Sequence, residues 1–267
     1  MLEIKGVYKT FNPGTVNEKR ALNGIDLTLN EGDFVTVIGG NGAGKSTMLN
    51  MIAGVYPVDS GTISIDGQDV TKLPEFKRAK FLGRVFQDPM NGTAADMQIL
   101  ENLALASRRG KFRTLAPGVT KKEKAGYIEL LSSLDLGLET RLTSKVGLLS
   151  GGQRQAITLL MATLKKPKLL LLDEHTAALD PKTAHKVLEL TTQIVEKNNL
   201  TTIMITHNMK DAIAIGNRLI MMNDGKIIYD IKGEEKKKLT TADLLEKFKI
   251  TSGSELDNDR MLLSSDE

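Results

Sequence analysis

Gly39-Gly40-Asn41-Gly42-Ala43-Gly44-Lys45-Ser46-Thr47 fits the G-x-x-x-x-G-K-[ST] pattern. Glycines at these places let successive backbone N–H groups turn inward on an anion that side chains would obstruct. A helix beginning near Lys45 would aim its positive end at the same anion. Lys45 adds a point charge for the outer phosphates of a nucleotide, and the Ser46 hydroxyl suits a Mg2+ ion. Farther on, the apolar run Leu169-Leu170-Leu171-Leu172 ends in Asp173-Glu174. A buried parallel strand delivers its last residues to the crevice where ligands bind. Asp173 is then placed to hold the metal through its water shell, and Glu174 to orient or deprotonate an attacking water. Two acids closing a strand are commonly just solvated; the phosphate loop is what favours the chemical reading.

Leu149-Ser150-Gly151-Gly152-Gln153 lies about twenty residues before that acidic end. Ser150 and Gln153 have the spacing of a capping box, and Ala156, Leu159, Leu160 and Leu164 give the following segment a helical stripe. A cap explains Ser and Gln but not two adjacent glycines, which cost a helix interior ~1 kcal/mol each. Close approach of another group accounts for them better. A bare helix start is a receptor for phosphate, and it fits the nucleotide of a second copy of the chain.

The elements that must position these residues follow from periodicity. Residues 2–11 and 21–29 alternate roughly as strands, with Asn12-Pro13-Gly14 as a turn. Phe34-Val35-Thr36-Val37-Ile38 reads as a strand covered on both faces, and a helix is predicted from Lys45 to about Ala53. Further strands are predicted at 62–65, 84–86, 168–172, 202–206 and 219–222, and a helix at 182–197 with Val187, Leu190, Ile194 and Val195 on one stripe. Asn223-Asp224-Gly225 signals a hairpin into 226–229. Residues 99–165 look helical, and the end from about Thr251 is polar and acidic. Strands alternating with helices imply an α/β core with a parallel sheet and an inserted helical lobe.

Composition narrows the classes. The chain is 40% hydrophobic and 26% charged, so a globular domain is expected. Its net charge of +3 decides little about partners. No apolar run approaches the ~18 residues of a membrane helix, and the N-terminus lacks a secretion signal. With no cysteine, disulfides and thiolate-bound metals are excluded.

With these motifs in their order, the chain resembles the nucleotide-binding subunit of an ATP-binding cassette (ABC) transporter over residues 2–248. Residues 149–153 match the family signature, 39–47 its Walker A, and 169–174 its Walker B with the catalytic glutamate. Gln87, in Val85-Phe86-Gln87-Asp88-Pro89, matches the Q-loop. Ala177-Ala178-Leu179-Asp180 resembles the D-loop, His207 the switch histidine, and Phe11 the aromatic that stacks on adenine.

The resemblance implies a P-loop NTPase core, a RecA-like mixed sheet with helices, joined to an N-terminal antiparallel β subdomain and an inserted α-helical subdomain. It implies one ATPase domain over residues 1–250, with the helical subdomain at about 88–165, and a polar tail at 251–267. Catalysis falls to Glu174, His207, Gln87 and Lys45. ATP would be held by Phe11, Gly39, Asn41, Gly42, Ala43, Gly44, Lys45, Ser46 and Thr47. A second copy's Ser150, Gly151, Gly152, Gln153 and Asp180 would complete the enclosure. Mg2+ falls to Ser46, Gln87 and Asp173. Two departures stand out: His175 where proline is common, and Ala177 where serine is common.

The same resemblance implies a head-to-tail homodimer around two ATP, transmembrane permease subunits, an extracytoplasmic substrate-binding protein, and work at the cytoplasmic face of the membrane. The run from Asp173 to Asp180 resembles a bacterial uptake subgroup whose proposed substrates include aromatic amino acids. An exporter subunit and a soluble iron–sulfur assembly ATPase are the rival readings.

The remaining signals read blandly. His175 is expected to be packed or solvated, and His185 to sit on a helix surface. Tyr8 rivals Phe11 as the aromatic. The basic stretch Arg108, Arg109, Lys111, Arg113, Lys121, Lys122, Lys124 reads as a solvated helical face. With only Phe112 interleaved, it argues against a nucleic-acid partner. Lys236-Lys237-Lys238 beside Glu234-Glu235 reads as a solvated loop.

Overall fold

The computed structural model describes residues 1–110 and 118–252. Its elements run β1 (Leu2–Phe11), β2 (Lys19–Leu29), β3 (Phe34–Gly39), α1 (Lys45–Ala53), β4 (Ser60–Ile65), β5 (Gln68–Asp69), α2 (Glu75–Arg78) and β6 (Leu82–Val85). A helical stretch follows with α3 (Ile99–Ser107), α4 (Lys121–Ser132) and α5 (Gly151–Thr163). The chain then alternates through β7 (Leu169–Asp173), α6 (Pro181–Asn198), β8 (Thr201–Ile205), α7 (Met209–Ala214), β9 (Arg218–Asn223) and β10 (Lys226–Lys232). It closes, within the described residues, on α8 (Glu234–Lys237) and α9 (Thr241–Ser252).

Two sheets form. The first is antiparallel, in the order β2-β1-β4-β5. The second runs β10-β9-β3-β8-β7-β6, all parallel except β10, which pairs antiparallel with β9 through the expected hairpin. Asp224 (φ 45°) and Gly225 (φ 71°) both lie in the left-handed region, as a two-residue type I′ turn requires. This is the mixed-sheet P-loop NTPase core with its antiparallel β subdomain.

Alternation on β7 divides two cores. Leu169 and Leu171 face α1 and the antiparallel sheet, packing with Met48, Leu49, Ile63 and Ile203. Leu170 and Leu172 face the other way, onto Leu159 of α5 and Leu188 and Val195 of α6. β3 and β8 are buried along their whole length, which explains their unbroken apolar and β-branched composition. Helix α5 has a second stripe, Ala156, Ile157 and Leu160, that joins Leu103 of α3 and Tyr127 and Leu131 of α4 in a separate cluster. One helix therefore belongs to both the sheet and the helical stretch.

Two expectations of solvated charge need correction. Residues 234–237 are the helix α8, not a loop, and Lys236 is 1% exposed. Its ammonium donates to the carbonyls of Ile215 and Gly216 just past α7, and burial pulls its pKa down to about 8. In the basic stretch, Lys121, Lys122 and Lys124 are exposed, but Arg109 is partly buried and donates to Ala162 O at 3.3 Å. Lys111, Phe112 and Arg113 lie outside the described residues, as does the tail beyond Ser252. Lys236→Met would remove two hydrogen bonds made by a charged, buried ammonium to the Ile215 and Gly216 carbonyls, so it should lower stability by about 1–3 kcal/mol in urea unfolding, whereas Lys237→Met should leave it unchanged.

Candidate nucleotide site

Strand register assembles the site. β3 and β8 run parallel with Val37 opposite Ile205, and β8 and β7 run parallel with Ile205 opposite Asp173. The loops that follow these strands therefore leave the sheet at one level. They bring residues 39–45, His207 and Glu174 to one edge, although the sequence separates the phosphate loop from the other two by more than a hundred residues.

The phosphate loop ends where Gly44 (φ 99°) opens α1. A Cβ there would lie 2.5 Å from Ala21 O, so glycine is required by the strand behind the loop as well as by its backbone. Lys45 is 6% exposed, and its ammonium donates to Gly39 O at 2.8 Å and Gly40 O at 3.0 Å. Burial depresses its pKa, while Glu174 and Asp173 work to raise it. Ser46, one residue on, donates from Oγ to Asp173 Oδ1 at 3.1 Å. Burial raises the Asp173 pKa; the Ser46 hydrogen bond and the Arg84 and Lys45 charges oppose this, and Glu174 adds to it.

Glu174 adopts φ 48°, a left-handed conformation unfavourable for a residue with a Cβ. Its N–H donates to Ile205 O at 3.1 Å, and its carbonyl accepts from Ala177 N–H at 3.0 Å. Its Oε1 lies 2.6 Å from His207 Nε2. Burial works to raise the Glu174 pKa, but the His207 hydrogen bond and charge, with Lys45, overcome it and hold the carboxyl below the ordinary range. A carboxylate ionised at neutral pH and aimed by an imidazole can accept a proton from water.

A cavity of about 250 Å3 opens over the loop, walled by Phe11, Lys19, Ala21, residues 41–47 and Glu174. Phe11 stands edge-on to Tyr56 with centroids 5.2 Å apart, and the Lys9 ammonium lies 5.6 Å from its ring. Tyr8 is 43% exposed and is not on this wall. Lys19 escaped the sequence reading; the only signal for it is that it pairs across the strands with Phe11. Gln87 is exposed two residues past β6, whose Val85 lies opposite Leu172, so it leaves from the edge that carries Asp173 and Glu174.

Ser150, Gly151, Gly152, Gln153 and Asp180 are not on that wall. The capping box is present: Ser150 Oγ accepts from Gln153 N–H, and Gln153 Oε1 from Ser150 N–H, each at 3.3 Å. Asp180 caps α6 by accepting from Thr183 N–H at 3.1 Å. The groups that press on the two glycines belong to the same chain. A Cβ on Gly152 would collide with Thr183 Cγ2, and one on Gly151 would meet Leu179 Cδ2 at 3.1 Å.

His175 is packed, as expected: it is 2% exposed, and its Nε2 lies 3.0 Å from Thr191 Oγ1. Burial lowers its pKa to about 4. His185 is on the surface beside Glu189, 3.1 Å away.

A phosphate loop, an acidic strand end beside it and a strand inserted between the two define a nucleoside-triphosphate-hydrolysing P-loop fold. The comparisons narrow this class. The family model described as ABC transporter matches residues 22–177. The tyrosine transport ATP-binding protein of Clostridioides difficile is 46% identical over 93% of this chain and 98% of its own length. The spermidine/putrescine import ATP-binding protein PotA of Haemophilus influenzae is 34% identical over 86% of this chain, which spans 57% of that longer protein. Among solved structures, the ADP- and phosphate-bound dimer of the ATP-binding cassette MJ0796 is similar with a TM-score of 0.74 and 31% identity, over 87% of this chain and 98% of that one. The chain belongs to the ABC transporter family, as an ATP-hydrolysing, nucleotide-binding cassette.

Two outcomes follow from the packing. Gly152→Ala should destabilise the chain by about 1–3 kcal/mol, and Thr183→Ser, which removes the colliding methyl, should restore most of the loss in urea titrations. Unfolding returns His175 from about 4 to the ordinary value of 6.5, so the unfolded chain takes up the proton across that window. This contribution is complete above pH 6.5 and falls as pH drops toward 4; between pH 7 and 5 the parent should lose ~2 kcal/mol more than His175→Gln.

Proposed function

We propose that this chain is the energy-coupling ATPase of a bacterial ABC importer and that its cargo is an aromatic amino acid. The 2.6 Å contact between Glu174 and His207 at the mouth of the phosphate loop carries the hydrolytic part of this reading. The 46% identity to a tyrosine transport ATP-binding protein, along nearly its full length, supports the cargo.

Phe11 packs on the adenine, and residues 39–47 wrap the phosphates with their backbone N–H groups. Lys45 exchanges its bonds to Gly39 and Gly40 for the outer phosphates. The Ser46 hydroxyl and the Asp173 carboxylate, 3.1 Å apart, converge as oxygen donors suited to Mg2+ beside a triphosphate, with Gln87 at the same edge. When bound, the metal would neutralise charge on the phosphates. Glu174 takes a proton from the attacking water, and His207 holds that carboxylate and reaches the γ-phosphate.

Ser150, Gly151, Gly152, Gln153 and Asp180 serve the nucleotide of a second copy, so a head-to-tail dimer encloses two ATP. Residues 1–250 act as one ATPase domain with a helical lobe at about 88–165, which passes closure to transmembrane permease subunits. A cleft of about 280 Å3 between that lobe and the core, walled by Arg84, Phe86, Leu82, Arg109 and Met161, supports this coupling. No helix among the described residues is long and apolar enough to cross a membrane. The chain works at the cytoplasmic face, and a substrate-binding protein outside delivers the cargo.

Glu174→Gln should bind ATP with near-parental affinity, lose about a hundredfold or more in turnover, and elute as a stable ATP-dependent dimer on size exclusion. A monomeric or fully active variant refutes the shared site. In mild-detergent extracts, the tagged chain should co-purify a polytopic permease and a binding protein that takes up tyrosine, phenylalanine or tryptophan; soluble partners alone would support an assembly ATPase instead.

A further inference from the structure

The residue after the proposed base has no part in that scheme, yet it is built into the protein with care. Of residues 174–180, all of them described, only His175 is buried. Its Nε2 lies 3.0 Å from Thr191 Oγ1, and Thr191 is fully buried on the inner face of α6. Thr191 spends its single hydroxyl proton on Val187 O at 2.8 Å. It can therefore only accept from the imidazole, which fixes His175 as the donor from Nε2. A neutral ring suits this bond, and burial keeps the ring neutral.

This bond anchors a strained place. Glu174 stands at φ 48°, and non-glycine residues hold such a conformation only where their surroundings impose it. The strand side of the turn is fixed by the Glu174 N–H on Ile205 O. The turn then runs through Thr176, Ala177, Ala178 and Leu179, none of them buried, before Asp180 caps α6. Without His175, the helix side of the turn would have no buried anchor among these residues.

We propose that His175 is a positioning residue for ATP hydrolysis: its bond to Thr191 ties the left-handed Glu174 turn to α6 and so holds the Glu174 carboxylate against His207. This rests on reading Glu174 as the base. It also gives α6 a double duty. Thr183, which abuts Gly152 at the start of α5, and Thr191 lie eight residues apart on this helix, or ~12 Å. One rigid element then bears both the helix start offered to a neighbour's nucleotide and the anchor of the carboxylate that serves its own.

The test compares the full-length chain with Thr191→Val, His175→Leu, His175→Gln and Glu174→Gln. It measures kcat and KM for ATP, nucleotide Kd without turnover, and Tm. Thr191→Val and His175→Leu should lose about tenfold or more in kcat per folded protein, with KM and Kd within about twofold of the parent. His175→Gln, whose amide N–H reaches about as far as Nε2, should recover most of the activity, and should lose it again when combined with Thr191→Val. Thr191→Val keeps the side-chain volume and decides the matter if His175→Leu does not fold. Parental kcat in Thr191→Val, or a loss shared equally by Kd and kcat, overturns the proposal. An active Glu174→Gln would overturn the reading of the base itself. An inactive Glu174→Gln beside a fully active Thr191→Val would sink the positioning role alone.

Discussion

Parallel alignment of β3, β8 and β7 is the constraint from which the site follows. Each strand is buried on both faces, so none can slip without carrying apolar side chains out of two cores at once. With the register held, the phosphate loop, His207 and Glu174 must leave the sheet side by side. The charges this gathers are partly buried and depend on one another. Lys45 moderates Asp173 and Glu174, Arg84 lies near Asp173, and His207 with Lys45 outweighs the upward push of burial on the Glu174 pKa. No one of them is at its ordinary cost in isolation, which is how a site comes to be both stable and poised.

The helices translate that edge into longer-range geometry. α5 packs one stripe on the sheet and another on α3 and α4, so the helical stretch cannot move without the Ser150 end of α5 moving with it. Thr183 and Leu179 press on the glycines at that end. The start of α5 is thus set by the turn and helix that follow Glu174.

The lesser corrections share a cause. Lys236 looked like one more lysine in a polar run because sequence shows charge and not the two carbonyls that meet it. Arg109 looked like part of a solvated face for the same reason. Thr191 broke no pattern visible along α6, whose apolar stripe was read through Val187, Leu190, Ile194 and Val195. The structure puts Thr191 on the buried face, with Leu190 and Ile194 partly exposed. A polar residue can take that place because His175 meets it there.

Local chemistry was written plainly in the chain. The phosphate loop, the capping box at Ser150, the acidic end of β7 and the Asp224-Gly225 turn all depend on residues within a few positions of one another, where backbone preference and hydrogen-bonding reach decide the outcome. Helix stripes and the alternation of β1 and β2 followed for the same reason, because one buried face imposes them, and the unbroken runs of β3, β7 and β8 reflect burial on both faces. What only the tertiary structure decided is which distant groups meet. It put His207 on Glu174, Ser46 on Asp173, Phe11 and Lys19 on one wall, Thr183 against Gly152, and His175 on Thr191. Each of these joins segments set by sheet order and helix packing, and no short-range rule links residues across such a crossover.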